Sequence, residues 1–92
     1  MSESDIQRAI IDMLKERGAM VFRMNAGRGR YNQHLSPPGT PDLLVVEPHR
    51  RYWVEVKTPT GVVSLDQQAM HEALENYGEE VIVARSIEDV PD

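Results

Sequence analysis

Three residues can do chemistry together: Asp42, Glu55 and Lys57. Glu55 and Lys57 flank Val56 in a β-prone run. In a strand they share one face, about 6–7 Å apart along the chain, while Val56 points the other way. Asp42 opens a second apolar run, Leu43-Leu44-Val45-Val46. If strands 42–46 and 51–57 form a hairpin around Glu47-Pro48-His49-Arg50, the symmetric register sets Val46 opposite Arg51, Leu44 opposite Trp53 and Asp42 opposite Glu55. Directly opposed side chains have Cβ atoms roughly 4.5–5.5 Å apart. Two carboxylates that close repel unless a cation lies between them. An all-oxygen donor pair with positions left for water suits Mg²⁺ or Mn²⁺. Such a metal polarises a phosphoryl oxygen and lowers the pKa of a bound water. Lys57 could orient that water, help to deprotonate it, or stabilise charge building on phosphorus. The plainer alternative is a surface-strand salt-bridge cluster. Placement of the acid and lysine at the end of an apolar strand weakens it.

Other residues are candidates of lesser weight. Gln67 completes the spacing Ser64-x-x-Gln67 of a capping box and also lies three before Met70, on the helix face turned to the sheet. The two roles are compatible. His71 reads as a partly buried helix histidine rather than a ligand. Glu3 lies three before Ile6 and extends the inward stripe of the first helix; it is either a further metal ligand or a helix-start acid complementing the dipole. Gln7 is weaker.

These residues need elements to hold them. Ile6, Ala9, Ile10, Met13 and Leu14 form one apolar stripe and predict a helix over about residues 4–17, started by Ser2 or by Ser4 with Gln7, and ended by Gly18. Residues 19–24 predict a short strand leading into a Gly/Arg loop. A second helix follows Ser64, with Met70, Ala73, Leu74 and Tyr77 on its stripe and Gly78 at its end. Val81 to Ala84 is a last buried strand, and Ser86 to Val90 starts a turn of helix. The order is α-β-β-β-α-β. The helix between the third and fourth strands requires a parallel pairing, hence a mixed sheet flanked by helices. The expected fold class is α/β, one domain over residues 1–92.

Composition bounds the function. The chain has 92 residues, no cysteine and a net charge of −5. Zero cysteines excludes a disulfide scaffold, a Cys-ligated zinc site and thiol catalysis, and suits a reducing cytoplasm. No apolar run approaches the roughly 20 residues that span a bilayer, and the polar start MSESDIQ is no signal peptide, so no membrane partner is expected. The charge is uneven. Residues 1–17 are net −1, residues 18–57 net +3 and residues 60–92 net −7, with one base against eight acids. From Gly18 to Pro41 there is no acid at all, and Arg23, Arg28 and Arg30 fall there. A basic loop contacting phosphates is one reading of that stretch, a solvated loop the other. The acidic total argues on its face against a nucleic-acid partner, but such asymmetry makes it a poor guide to partners.

Gly39-Thr40-Pro41-Asp42, twelve intervening residues and Glu55-Val56-Lys57 resemble the PD-(D/E)XK nuclease signature. The fuller pattern resembles the VRR-NUC domain: an N-terminal helix with an early acid, Arg23-Met24-Asn25-Ala26-Gly27, the G-x-P-D and E-V-K segments, and S-x-x-Q before a helix ending in Gly. The resemblance covers about residues 3–84. It implies metal-dependent hydrolysis of DNA phosphodiesters, with Asp42 and Glu55 as ligands of Mg²⁺ or Mn²⁺, Lys57 catalytic and Gln67 supporting the site. Glu3 best fits the early acid, with Asp5 close by. Arg23, Asn25, Arg28 and Arg30 are then the expected DNA contacts, and no organic cofactor is needed. The stand-alone bacterial and phage members that the chain resembles are associated with homodimers acting on branched DNA such as four-way (Holliday) junctions. The expected setting is the cytoplasm of a bacterium or phage-infected host. Two alternatives are a catalytically silent DNA-binding module of the same fold and a protein-interaction module using the acidic C-terminal third.

Overall fold

The computed structural model describes residues 1–24 and 36–92. Helix α1 (Glu3–Glu16) is followed by strands β1 (Met20–Arg23), β2 (Leu43–Glu47) and β3 (Arg50–Val56), helix α2 (Leu65–Asn76) and strand β4 (Val81–Ala84). A short 3₁₀ turn, Ile87–Asp89, closes the chain. The expected α-β-β-β-α-β order and α/β class are those observed. One sheet runs β1-β2-β3-β4, antiparallel except for the parallel β3–β4 pair, which α2 connects. Leu44 pairs with Trp53 and Val46 with Arg51, so the hairpin register read from the sequence is the register of the fold. Among the described residues no helix is long and apolar enough to cross a membrane.

Alternation along the strands divides the sheet into two faces with different chemistry. Leu43 and Val45 of β2 and Tyr52, Val54 and Val56 of β3 are fully buried; Ile6, Ile10 and Leu14 of α1 complete that apolar core with Ala84 and Val90. The alternate residues of β3, Trp53 and Glu55, face α2 and the chain just beyond it, through polar contacts.

Both helices are bounded by explicit caps. Ser2, not Ser4, caps α1: its Oγ accepts from Asp5 N, and Asp5 Oδ2 accepts from Ser2 N. The helix therefore starts at Glu3 and the spacing Ser4–Gln7 goes unused, because a carboxylate at the third position is a stronger acceptor than an amide. At their other ends both helices finish in the same way. Gly18 N donates to Lys15 O and Ala19 N to Leu14 O; Gly78 N donates to Glu75 O and Glu79 N to Leu74 O. Each is a Schellman turn with glycine at positive φ.

The inward face of α2 differs from the expected stripe. Gln67, Met70 and Leu74 are half-buried and His71 is buried, whereas Ala73 is exposed and Tyr77 is 88% exposed. The helix turns on its axis to set Gln67 and His71 against Glu55, and that polar demand outweighs burial of Tyr77.

Gly39 fixes how α2 meets the segment preceding β2. Its φ is +84°, and a Cβ there would lie 2.3 Å from the Asp66 carbonyl oxygen and 3.1 Å from Gln67 N. Gly78 has a similar φ of +88° but open space around it. A left-handed non-glycine residue costs about 1–3 kcal/mol on its own. Gly39→Ala is therefore expected to lower Tm by at least about 5 °C, and by clearly more than Gly78→Ala, in paired thermal melts. Equal losses would contradict a close approach at Gly39.

Candidate active site

The sheet end where β2 begins and β3 finishes gathers the chemically capable residues. Asp42 precedes β2, and its main-chain oxygen accepts from Met24 N at 2.8 Å, one step beyond the β1–β2 ladder. Its Oδ2 accepts from Val56 N at 2.7 Å. The carboxylate is thus anchored to the backbone of β3, beside Glu55. Glu55 is only 1% exposed. Gln67 Nε2 donates to its Oε2 at 3.4 Å, and His71 Nε2 lies 3.2 Å from its Oε1. Gln67 Oε1 meanwhile accepts from Ser64 N, so one amide caps α2 and holds Glu55 with its two ends.

Burial pushes the Glu55 carboxyl up to about 9, with the hydrogen bond and charge of Asp42 adding to the effect; Lys57 opposes it and Glu3 reinforces it. The His71 imidazole is held below its ordinary value, mainly by burial, with Lys57 acting in the same sense and Glu75 and Asp42 against it. At neutral pH a neutral imidazole therefore faces a protonated carboxyl.

Lys57 follows β3 directly. Its N donates to Ala84 O at 3.0 Å, prolonging the parallel ladder by one residue. The segment after it is held by Arg85, whose Nη1 donates to Thr58 O at 2.6 Å, Gly61 O at 2.8 Å and Pro59 O at 3.3 Å. Arg85 escaped sequence reasoning, although it is the one base in the acidic C-terminal third, and that isolation was the available signal.

The donor set fits a divalent cation. Asp42, half-buried, and Glu55, buried, offer hard oxygens, and Mg²⁺ or Mn²⁺ needs only one or two protein carboxylates when waters and phosphate complete its coordination. Glu3 stands apart: it is exposed, and its charge reaches Glu55, but among the described residues no three potential ligands form a group. Arg23 ends β1 and is exposed. Asn25, Arg28 and Arg30, the other expected DNA contacts, lie outside the described residues.

Comparison with known proteins bears on this arrangement. The VRR-NUC domain family matches residues 30–88, a span that includes Asp42, Glu55, Lys57 and Gln67. The chain belongs to the VRR-NUC family. Domains of this family are nuclease domains of the PD-(D/E)XK type, which use divalent metals and act on DNA. A solved structure titled as a VRR-NUC domain shares the fold, with a TM-score of 0.73 over 96% of this chain and 89% of the other at 23% identity. That likeness extends to α1 and β1, which precede the family match. No curated protein matches the chain in sequence.

Burial of Glu55 has a consequence for stability in metal-free buffer. The folded state keeps the Glu55 proton up to about pH 9, whereas the unfolded chain releases it near 4.5. Stability is therefore greatest below the unfolded value and falls as pH rises between the two. Urea denaturation at pH 5 and pH 8.5 is expected to show that loss in the wild type and a smaller one in Glu55→Gln. Identical pH dependence in the two proteins would contradict it.

Proposed function

We propose that residues 1–92 act as a single metal-dependent endonuclease domain that hydrolyses phosphodiester bonds in branched DNA, four-way junctions included, as a homodimer in the cytoplasm. The observation that carries this reading is the buried Glu55 carboxyl with Asp42 anchored to the next residue of β3, Val56, at the strand end from which Lys57 emerges. Asp42 and Glu55 would hold Mg²⁺ or Mn²⁺, which supplies Lewis acidity toward a phosphoryl oxygen and a more acidic water. Lys57 provides a cation at the same face, to orient the attacking water and stabilise negative charge on the phosphorus oxygens. Gln67 is a positioning residue: it fixes the Glu55 carboxylate by tying it to the first turn of α2. His71 serves similarly on the other oxygen.

Cleavage of junction, flap and linear duplex DNA separates this function from a silent binding module. Wild-type protein with Mg²⁺ or Mn²⁺ is expected to cut, with the junction preferred, and EDTA to stop it. Asp42→Ala and Lys57→Ala should each reduce the rate by about 10²-fold or more. Cleavage that survives both substitutions would remove the assignment, and DNA binding without any cleavage would favour the silent module.

A dimer is supported by the outward side of α2. Leu65 and Tyr77 are 81% and 88% exposed, and Ala69 and Ala73 lie between them at successive four-residue steps. That stripe is self-complementary in a two-fold antiparallel pairing, with the alanines allowing close approach and Leu65 meeting Tyr77 of the other copy. Two equivalent sites are also what cutting two strands of a symmetric junction requires. Light scattering should give twice the 10.4 kDa chain mass, and Leu65→Glu with Tyr77→Glu should return it to 10.4 kDa. A wild-type monomer at micromolar concentration would count against the dimer and leave the chemistry standing.

A further inference from the structure

Apart from Lys57 at the site, the lysines and arginines of the described residues fall into two groups. Arg17, Arg50 and Arg51 are paired with Glu47, Glu80 and Glu79, and Arg85 is taken up by main-chain carbonyls. Arg8, Lys15 and Arg23 make no hydrogen bond or ion pair among the described residues. All three line one groove of about 330 Å³, together with Ser4, Gln7 and Ile11, and no acid lines it.

The groove is built by helical periodicity. Residues 4, 7, 8, 11 and 15 lie on one side of α1, next to the buried stripe of Ile6, Ile10 and Leu14. At 100° per residue, the acids Asp5, Asp12 and Glu16 centre roughly 100° from the middle of that face, with Asp5 and Asp12 within a turn of Arg8. Asp5 is in addition occupied by the Ser2 cap. From Gln7 to Lys15 the rise is about 12 Å, long enough to span neighbouring phosphates of one strand. Arg23 enters from β1. The groove approaches the site through Arg23, which precedes Met24, whose N–H bonds to the Asp42 carbonyl.

We propose that this groove is a track for the DNA backbone, with Arg8, Lys15 and Arg23 contacting successive phosphates of one strand and Ser4 and Gln7 donating further hydrogen bonds. The inference rests on the nuclease reading and deepens it, because it states where the duplex lies as it reaches Asp42 and Glu55. The contacts are to phosphate alone. They set position and affinity without reading sequence.

Salt dependence tests it. Binding of a fluorescent 30-base-pair duplex is measured by anisotropy in EDTA, which keeps the DNA intact, at a series of salt concentrations. Each phosphate contact contributes about 0.9 to the slope of log affinity against log salt. Arg8→Gln, Lys15→Gln and Arg23→Gln together should reduce that slope by about 2.7 and weaken binding at least roughly tenfold at low salt. Arg50→Gln with Arg51→Gln removes two paired cations and should leave the slope within about 0.5 of wild type. A triple variant that keeps the wild-type slope overturns the groove and leaves the nuclease reading intact, since the Asp42→Ala cleavage assay decides that separately. Wild-type protein without salt-dependent DNA binding overturns the groove as well, and the cleavage assay again decides the nuclease reading separately. Gln7→Cys, in a chain with no other cysteine, gives a second readout that removes no cation. Carrying a photo-crosslinker, it should capture bound duplex, and failure to do so while the DNA is bound also overturns the proposal.

Discussion

The structure is organised around the burial of one carboxyl group, that of Glu55. A carboxylate 1% exposed beside a second carboxyl is expensive to keep charged, and the protein meets this with partners rather than with solvent. Those partners dictate the inner face of α2, where Gln67 and His71 occupy positions that an ordinary amphipathic helix would give to Leu or Ile. Capping and site support coincide in Gln67. Its carbonyl end satisfies Ser64 N and its amino end reaches Glu55, so the start of α2 and the placement of the carboxylate are one hydrogen-bonded unit. Gly39 belongs to the same constraint, since only a residue without Cβ lets the segment leading to Asp42 lie against the Asp66 carbonyl.

Stability is supplied on the opposite face of the sheet. There α1 seals an apolar core with Ile6, Ile10 and Leu14, and Arg17 at its end joins Glu47, the Tyr52 hydroxyl and the Pro91 carbonyl in one cluster. The division also explains the charge distribution. Part of the negative C-terminal third is spent locally, Glu79 and Glu80 on the β3 arginines and Glu79 on the Trp53 indole as well. The acidic total of −5 therefore describes no particular surface.

How legible this was in the sequence depended on the range of the interaction. The hairpin register followed from a symmetric turn and strict alternation, and it places Asp42 beside Glu55 as Leu44 lies beside Trp53. Gly18 and Gly78 end their helices as glycines do, because the Schellman turn is purely local. The face of α2 was not legible. Tyr77 and Ala73 fit an apolar stripe by spacing, and only the position of Glu55 across space turns Gln67, Met70, His71 and Leu74 inward instead. The cap of α1 was a contest between two equally spaced pairs, decided by the greater strength of a carboxylate acceptor. For Arg85 the only signal was its isolation among acids, because its partners are main-chain carbonyls, which no residue type marks.

Rigidity within the site is unequally shared. Asp42 is tied to Val56 N, Glu55 to α2, and the Lys57 backbone to β4 on one side and to the segment held by Arg85 on the other. What remains free is the long Lys57 side chain and, along α1, the unpaired cations of the groove. A carboxylate pair must meet a cation at fixed distances, so its freedom is removed by hydrogen bonds to elements that do not move. A phosphate backbone varies in path from one DNA structure to another, so flexible stems with a charge at the tip suit it better than a rigid cradle. Anchored acids and unpaired bases thus answer two different geometric demands, one set by coordination and the other by the variable path of a phosphate backbone.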